Sequence, residues 1–197
     1  MTLIAESPAM DPITAAIADA AHAARATETL PQVDEDGQVK GRDFVIICYS
    51  GDLEKTWASL ILATTAAASG VNTKMFLTFW GLQTFVKDSK RITGENWMQK
   101  MLAFMQRPGI SHRKLSKMNF LGMGPWMMGT LARKYQVASP KELLEAAQAM
   151  GVEFMPCQMT MDMFGLKRED MIDGLGEPVG AATVIELLGN GAASLFI

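Results

Sequence analysis

Cysteine and histidine are scarce: the 197 residues contain two of each. A disulfide scaffold is therefore excluded, and a structural zinc site is not expected. Basic excess is missing too. Eighteen Lys and Arg against 21 Asp and Glu leave a formal charge of −3. Nothing in that balance draws the chain to nucleic acid. The stretch Met1 to Met10 has neither a basic region nor a continuous apolar run, so no secretory leader is read there. The longest uncharged run, residues 56–73, contains Thr, Ser, Asn and Gly70. It reads as a buried helix running into a strand, not as a membrane span. There is no GxxxxGK[ST] loop and no serine nucleophile elbow, and Gly122-Met123-Gly124 lacks a third glycine and follows no strand. The histidines lie far from the cysteines in sequence, so no Cys-His pair can be assigned. Few cysteines and no leader together point to the cytoplasm, where thiols stay reduced.

What the chain does have is apolar bulk. Hydrophobic residues make up 49% and charged residues 20%, the balance of a globular domain with an ample core. Methionine stands out with 16 residues, 13 of them between Met98 and Met171. Met suits irregular cores and adaptable contact surfaces.

The Ala-rich stretch 12–27 suits a short helix. Residues 31–42 (PQVDEDGQVKGR) read as a polar linker, so residues 1–42 form an extension and the domain spans 43–197. Phe44–Cys48 is continuously apolar, as in a strand buried on both faces of a parallel sheet. A turn at residues 49–52 follows, with Asp52 placed to cap a helix over 53–69 that Gly70 ends. A second strand is read over 71–79, completing a βαβ unit. The insertion 82–135 is less regular: a helix over 97–106, a basic cluster at 111–117, and an uncharged stretch 118–132 broken by Gly122, Gly124, Pro125 and Gly129. Alternation resumes with Ser139 capping a helix that has Pro140 at its first position and Glu142 at its third. A strand at 152–155, a short helix opened by Pro156-Cys157 and closed by Gly165, a helical turn at 167–172, a helix at 178–188 and a final strand at 192–197 follow. The pattern is an open, mostly parallel α/β sheet with helices on both faces.

Two thiols sit where such sheets place their chemistry. Cys157 follows a strand and begins a helix, where amide N–H groups favour a thiolate; a buried apolar cysteine is the competing reading. Cys48 ends the first strand at the same edge. Were the first and third strands neighbours, both sulfurs would face one crevice and could pair or relay sulfur. Ser50 and Gly51 supply backbone N–H groups that could form an anion nest beside Cys157, although turn and cap chemistry accounts for them equally. His112, Arg113, Lys114 and Lys117 read first as a solvated basic face. Together with Trp126, the cations Arg113, Lys114 and Lys117 also suit docking of an acidic partner or an anionic membrane surface.

Two segments carry a resemblance. CYSGDLEKTWASLILATTAAASGVNTKMFLTFWGL at residues 48–82 and MPCQMTMDMFGLKREDMIDGL at 155–175 resemble the DsrE/DsrF/DsrH-like proteins, specifically their DsrE2-type branch. The resemblance spans about residues 43–197. It implies a flavodoxin-like fold, homo-oligomers, and handling of sulfane sulfur as a persulfide on Cys157, with Cys48 matching a second cysteine of that branch. It also implies TusA-like or rhodanese-like sulfur-carrier partners. The chemistry needs no cofactor and no metal. A thiol switch through a Cys48–Cys157 disulfide and a non-enzymatic subunit docking through the Met-rich segment remain alternatives.

Overall fold

In the computed structural model, residues 32–33, 39–40, 43–89, 97–99, 101, 108–117, 119–190 and 192–197 are described. The chain divides into two units, Met1–Lys40 and Gly41–Ile197. The helix read over 12–27 lies outside the described residues. In the first unit, β1 (Gln32–Val33) and β2 (Val39–Lys40) pair antiparallel, Gln32 with Lys40 and Val33 with Val39. The stretch read as a plain linker therefore contains paired strands.

The second unit holds a four-stranded, all-parallel sheet in the order β5-β4-β3-β6. Its strands are β3 (Phe44–Cys48), β4 (Thr73–Leu77), β5 (Glu153–Pro156) and β6 (Ala193–Phe196). This is an open α/β sheet of flavodoxin-like type. The register runs Cys48 to Leu77 to Pro156 across β3, β4 and β5. Strand β4 thus lies between β3 and β5, and the adjacency that would bring the two cysteines together is absent.

Helix α1 (Leu53–Ala68) joins β3 to β4 and buries Leu53, Thr56, Trp57, Leu60, Ala63 and Thr64 at helical spacing. Gly70 at φ +77 ends it in the left-handed conformation that glycine accepts without Cβ strain. Asp52 stands at the N-cap position, yet its carboxylate does not cap the helix. It instead accepts from the Ser50 hydroxyl and pairs with Lys55. Further along, α4 (Pro140–Ala149) carries the capping box between Ser139 and Glu142. It packs on α1.

Two buried clusters mark the two sheet faces. Ile46, Cys48, Met75, Leu77 and Phe154 belong to the first, together with Leu60 of α1 and Leu144 of α4. Val45, Phe76, Met155 and Cys157 belong to the second, beneath Val184 of α6 (Ala181–Gly189). The alternation is the period-2 geometry of a strand. The helix positions follow from right-handed crossovers: the chain steps one way from β3 through β4 to β5, then returns to β6, so α6 falls on the opposite face. Each large apolar side chain buried here contributes about 1.5–3 kcal/mol.

The insertion is more helical than its glycines and proline suggest. Helix α2 (Phe79–Leu82) follows β4, and short 3-10 turns lie at Gln83–Phe85, Ile110–His112 and Phe120–Gly122. Helix α3 (Met123–Lys134) then runs through Gly124, Pro125 and Gly129. Pro125 sits in the first turn, where its missing N–H leaves no hydrogen bond unmade. At the chain end, α6 begins at Ala181, after Gly180, so Pro178 and Val179 precede the helix; Val179 forms a single parallel bridge with Cys157.

Candidate functional site

Cys157 occupies the N-cap position of α5 (Gln158–Phe164), directly beyond β5. Its N–H donates to the Leu77 carbonyl at 2.9 Å, which extends the sheet register by one residue and sets Thr78 across from Cys157. On its other side, the Val179 N–H donates to the Pro156 carbonyl and the Gln158 N–H donates to the Val179 carbonyl, at 2.8 and 3.0 Å. These bonds fix the backbone on both flanks of the sulfur. Val45, Phe76, Met155 and Val184 pack around it, and Cys157 is only 2% exposed. Val179 packs against the same cluster, so Cys157 presents almost no surface to solvent in this conformation.

A hydroxyl pair that the sequence reading did not single out ties the end of β4 to α5. Thr78 and Thr160, both buried, bring their Oγ1 atoms within 3.1 Å, and the Phe79 N–H donates to Thr160 Oγ1 at 3.2 Å. Thr160 is the third residue of α5, the position whose side chain reaches back toward the helix start. Its place three residues after Cys157 was the available signal. Phe79 has φ +46, a strained value for a bulky residue, held by this bond and by the Trp80 ring against Phe164 at 5.3 Å.

Cys48 lies elsewhere. It points into the first cluster, on the opposite face from Cys157, and β4 separates their strands. Two strand spacings put their backbones about 9–10 Å apart, beyond the roughly 7 Å that a disulfide spans. An intramolecular Cys48–Cys157 disulfide is thus excluded in this fold. Burial pushes the Cys48 thiol up to about 12, only partly opposed by its hydrogen bond with Ser59. Cys48 is a core thiol and does not share a crevice with Cys157.

The Ser50–Gly51 turn is not an open anion nest. The Tyr49 and Ser50 N–H groups donate to the Ile197 carbonyl at 2.9 and 3.4 Å, and the Asp52 N–H donates to Ser50 Oγ at 3.2 Å. The Asp52 carboxylate also accepts from that hydroxyl, placing a negative charge at the turn. Gly51 is required by close approach: a Cβ there would stand 2.6 Å from the Trp80 carbonyl oxygen and 2.9 Å from an Arg113 guanidinium nitrogen.

Arg113 is the second displaced residue. Read as part of a solvated basic face, it is instead buried, 8% exposed, with Nε donating to the Gly109 carbonyl at 3.0 Å. Burial lowers its pKa to about 10, with Asp88 and Asp52 opposing. It braces loops rather than meeting a partner. Lys114, Lys117 and Trp126 are exposed. His112 lies 3.7 Å from Asp88 Oδ1, and the Ser111 hydroxyl donates to Asp88 Oδ2. Among the described residues, no group of three His, Cys, Asp or Glu side chains is placed to share a metal ion. Among the same residues, no helix is long and apolar enough to cross a membrane.

Residues 40–196 match the DsrE/DsrF/DrsH-like family. The chain is 36% identical over 152 residues to the uncharacterized protein YrkE of Bacillus subtilis, covering 77% of this chain and 94% of YrkE. It is 33% identical over 159 residues to the sulfur carrier protein DsrE2 of Allochromatium vinosum, covering 79% of this chain and 98% of DsrE2. The fold is similar to the crystal structure of the ychN protein from E. coli, with a TM-score of 0.50 at 16% identity over 80% of this chain and all of that one. The match spans the whole parallel sheet and both cysteines, and the chain belongs to the DsrE/DsrF/DrsH-like family.

Proposed function

We propose that this protein is a sulfur carrier or sulfurtransferase that holds sulfane sulfur as a persulfide on Cys157. The carrying observation is that Cys157 lies beyond the carboxyl end of a parallel strand, at a helix start, in a chain 33% identical to a protein named a sulfur carrier. The Cys157 thiolate attacks the terminal sulfur of a donor persulfide, R–S–SH. The new bond is Cys157–S–SH; the donor S–S bond breaks and RS⁻ leaves. An acceptor thiolate then attacks the same terminal sulfur, and the Cys157 thiolate leaves. Sulfur moves at its own oxidation level, so neither half needs an external oxidant or reductant. The Thr78–Thr160 hydroxyl pair joins the end of β4 to the first turn of α5, the helix that Cys157 opens.

TusA-like or rhodanese-like carriers suit the donor and acceptor roles, and a reducing compartment such as the cytoplasm keeps Cys157 available. Copies of the chain associate through the face beside α6, where the Tyr49 and Phe196 rings stack at 4.8 Å and Ile185 and Phe196 remain exposed.

The test is single-turnover transfer. The protein is loaded with labelled polysulfide, freed of excess reagent and mixed with a TusA-like carrier. Label is expected on the carrier, none from Cys157→Ser, and undiminished transfer from Cys48→Ala. Transfer that survives Cys157→Ser would overturn the reading.

A further inference from the structure

Phe79 holds a backbone conformation that its side chain disfavours. It stands at φ +46, in the left-handed region, where a bulky residue is strained. The corner between β4 and α2 is fixed on both flanks, so the strain is not relieved there. Towards β3, the Thr78 N–H donates to the Cys48 carbonyl at 2.9 Å and the Gly81 N–H to the Tyr49 carbonyl at 3.0 Å. Gly81 lies so close to β3 that a Cβ would collide with the Cys48 carbonyl. Towards α5, the Phe79 N–H donates to Thr160 Oγ1.

Burial does not offset the strain. Phe79 is 43% exposed and belongs to neither buried cluster. Fold stability therefore gives no reason for a large aromatic here, since asparagine or glycine takes this conformation with less strain. Strained non-glycine residues collect at active sites and ligand clamps, and the place of Phe79 fits that pattern. Thr78 lies across from Cys157 in the sheet register, so Phe79 is one residue beyond that pairing. Its backbone is bonded to α5, the helix that Cys157 opens. Met159 and Met163, one turn apart on the same helix, are exposed as well.

From the strain, the exposure and the register we infer that Phe79 is a specificity-determining residue of sulfur transfer. Its ring meets the apolar surface around the sulfur of a protein carrier. Aromatic side chains are the usual anchors of protein contacts, and the flexible thioethers of Met159 and Met163 adapt to the shape that such a partner brings. Inorganic polysulfide is an anion with no apolar body, so the ring offers it nothing. The inference rests on the carrier reading and deepens it by naming a residue that separates a protein partner from a small one.

The full-length protein is loaded on Cys157 with labelled polysulfide, and transfer is followed at increasing concentrations of a TusA-like carrier. Phe79→Asn is the decisive variant, because asparagine accepts the left-handed region. Its thermal midpoint should equal or exceed that of the parent. The half-saturating carrier concentration should rise at least tenfold, while the limiting transfer rate and the rate of polysulfide loading change less than twofold. Phe79→Tyr keeps the ring and should stay within threefold of the parent in carrier affinity. An unchanged half-saturating concentration in Phe79→Asn would overturn the inference. So would polysulfide loading that falls as far as carrier affinity, or a thermal midpoint several degrees below the parent, since either makes the ring part of the fold and not of the contact. Those three results leave the carrier reading standing, whereas a parent that takes up no sulfur on Cys157 would overturn that reading and this inference together.

Discussion

At the scale of residues, the two cysteines lie apart, in the clusters on opposite faces of the sheet. Cys48 ends a parallel strand and Cys157 directly follows one, and both were legible from the apolar runs before them. What sequence could not supply was strand order. With β4 between β3 and β5, Cys48 falls on one face and Cys157 on the other. Burial raising the Cys48 pKa to about 12 carries a stability consequence. The folded value lies above the unfolded one, near 8.5. This contribution is therefore complete below about pH 8.5 and is lost as the pH climbs through the window up to about 12. Urea unfolding at pH 8 and pH 10.5 should show a steeper loss for the parent than for Cys48→Ala, by a kcal/mol or more, at about 1.4 kcal/mol per unit of separation. Parallel pH profiles for the two proteins would contradict it. Arg113 teaches the same lesson as Cys48: a basic run of sequence reads as a surface, and only the path of residues 108–113 over the Gly51 turn reveals that one of its cations is covered.

Among elements, local chemistry was the most legible part of the fold. The box between Ser139 and Glu142 is encoded within four residues, and so is its titration. Hydrogen bonds from the Ser139 backbone and hydroxyl hold the Glu142 carboxyl below its ordinary value. A depressed carboxyl stabilises above its unfolded pKa and loses that stabilisation as the pH falls through the folded value. Ser139→Ala should cost about 1 kcal/mol at neutral pH. The penalty should shrink in acid, once the pH has fallen through the lowered folded value and Glu142 is protonated in both states; denaturant midpoints at neutral and strongly acidic pH measure it. Helix α3 was less legible, because Gly and Pro punctuate its sequence while its first turn tolerates both. The apolar surroundings of Cys157 were not legible at all, since Val179 and Val184 lie more than 20 residues downstream of it. Val184→Ala should cost roughly 1–2 kcal/mol in lost methyl burial. It should also speed labelling of Cys157 by a small disulfide reagent severalfold, measured by stopped flow. An unchanged labelling rate in a destabilised variant would show that α6 does not gate the thiol.

For the whole molecule, the alternation of strands and helices made the α/β sheet readable, and the crossover rule distributes its helices. The consequence is unequal cover. Helices α1 and α4 lie over the face that holds Cys48, whereas α6 covers the face that holds Cys157 and leaves Phe196 64% exposed at the edge strand. An edge strand with an exposed aromatic favours association. Light scattering at micromolar concentration should give a multimer for the parent and a smaller species for Phe196→Glu; a monomeric parent would contradict the assembly. The proposed chemistry turns on one sulfur atom. Its most direct measurement is peptide mass mapping after polysulfide treatment and removal of excess reagent. Additions of about 32 Da per sulfur are expected on the peptide containing Cys157, with none in Cys157→Ser and an unmodified Cys48. Sulfur found on Cys48 with Cys157 unmodified would contradict it.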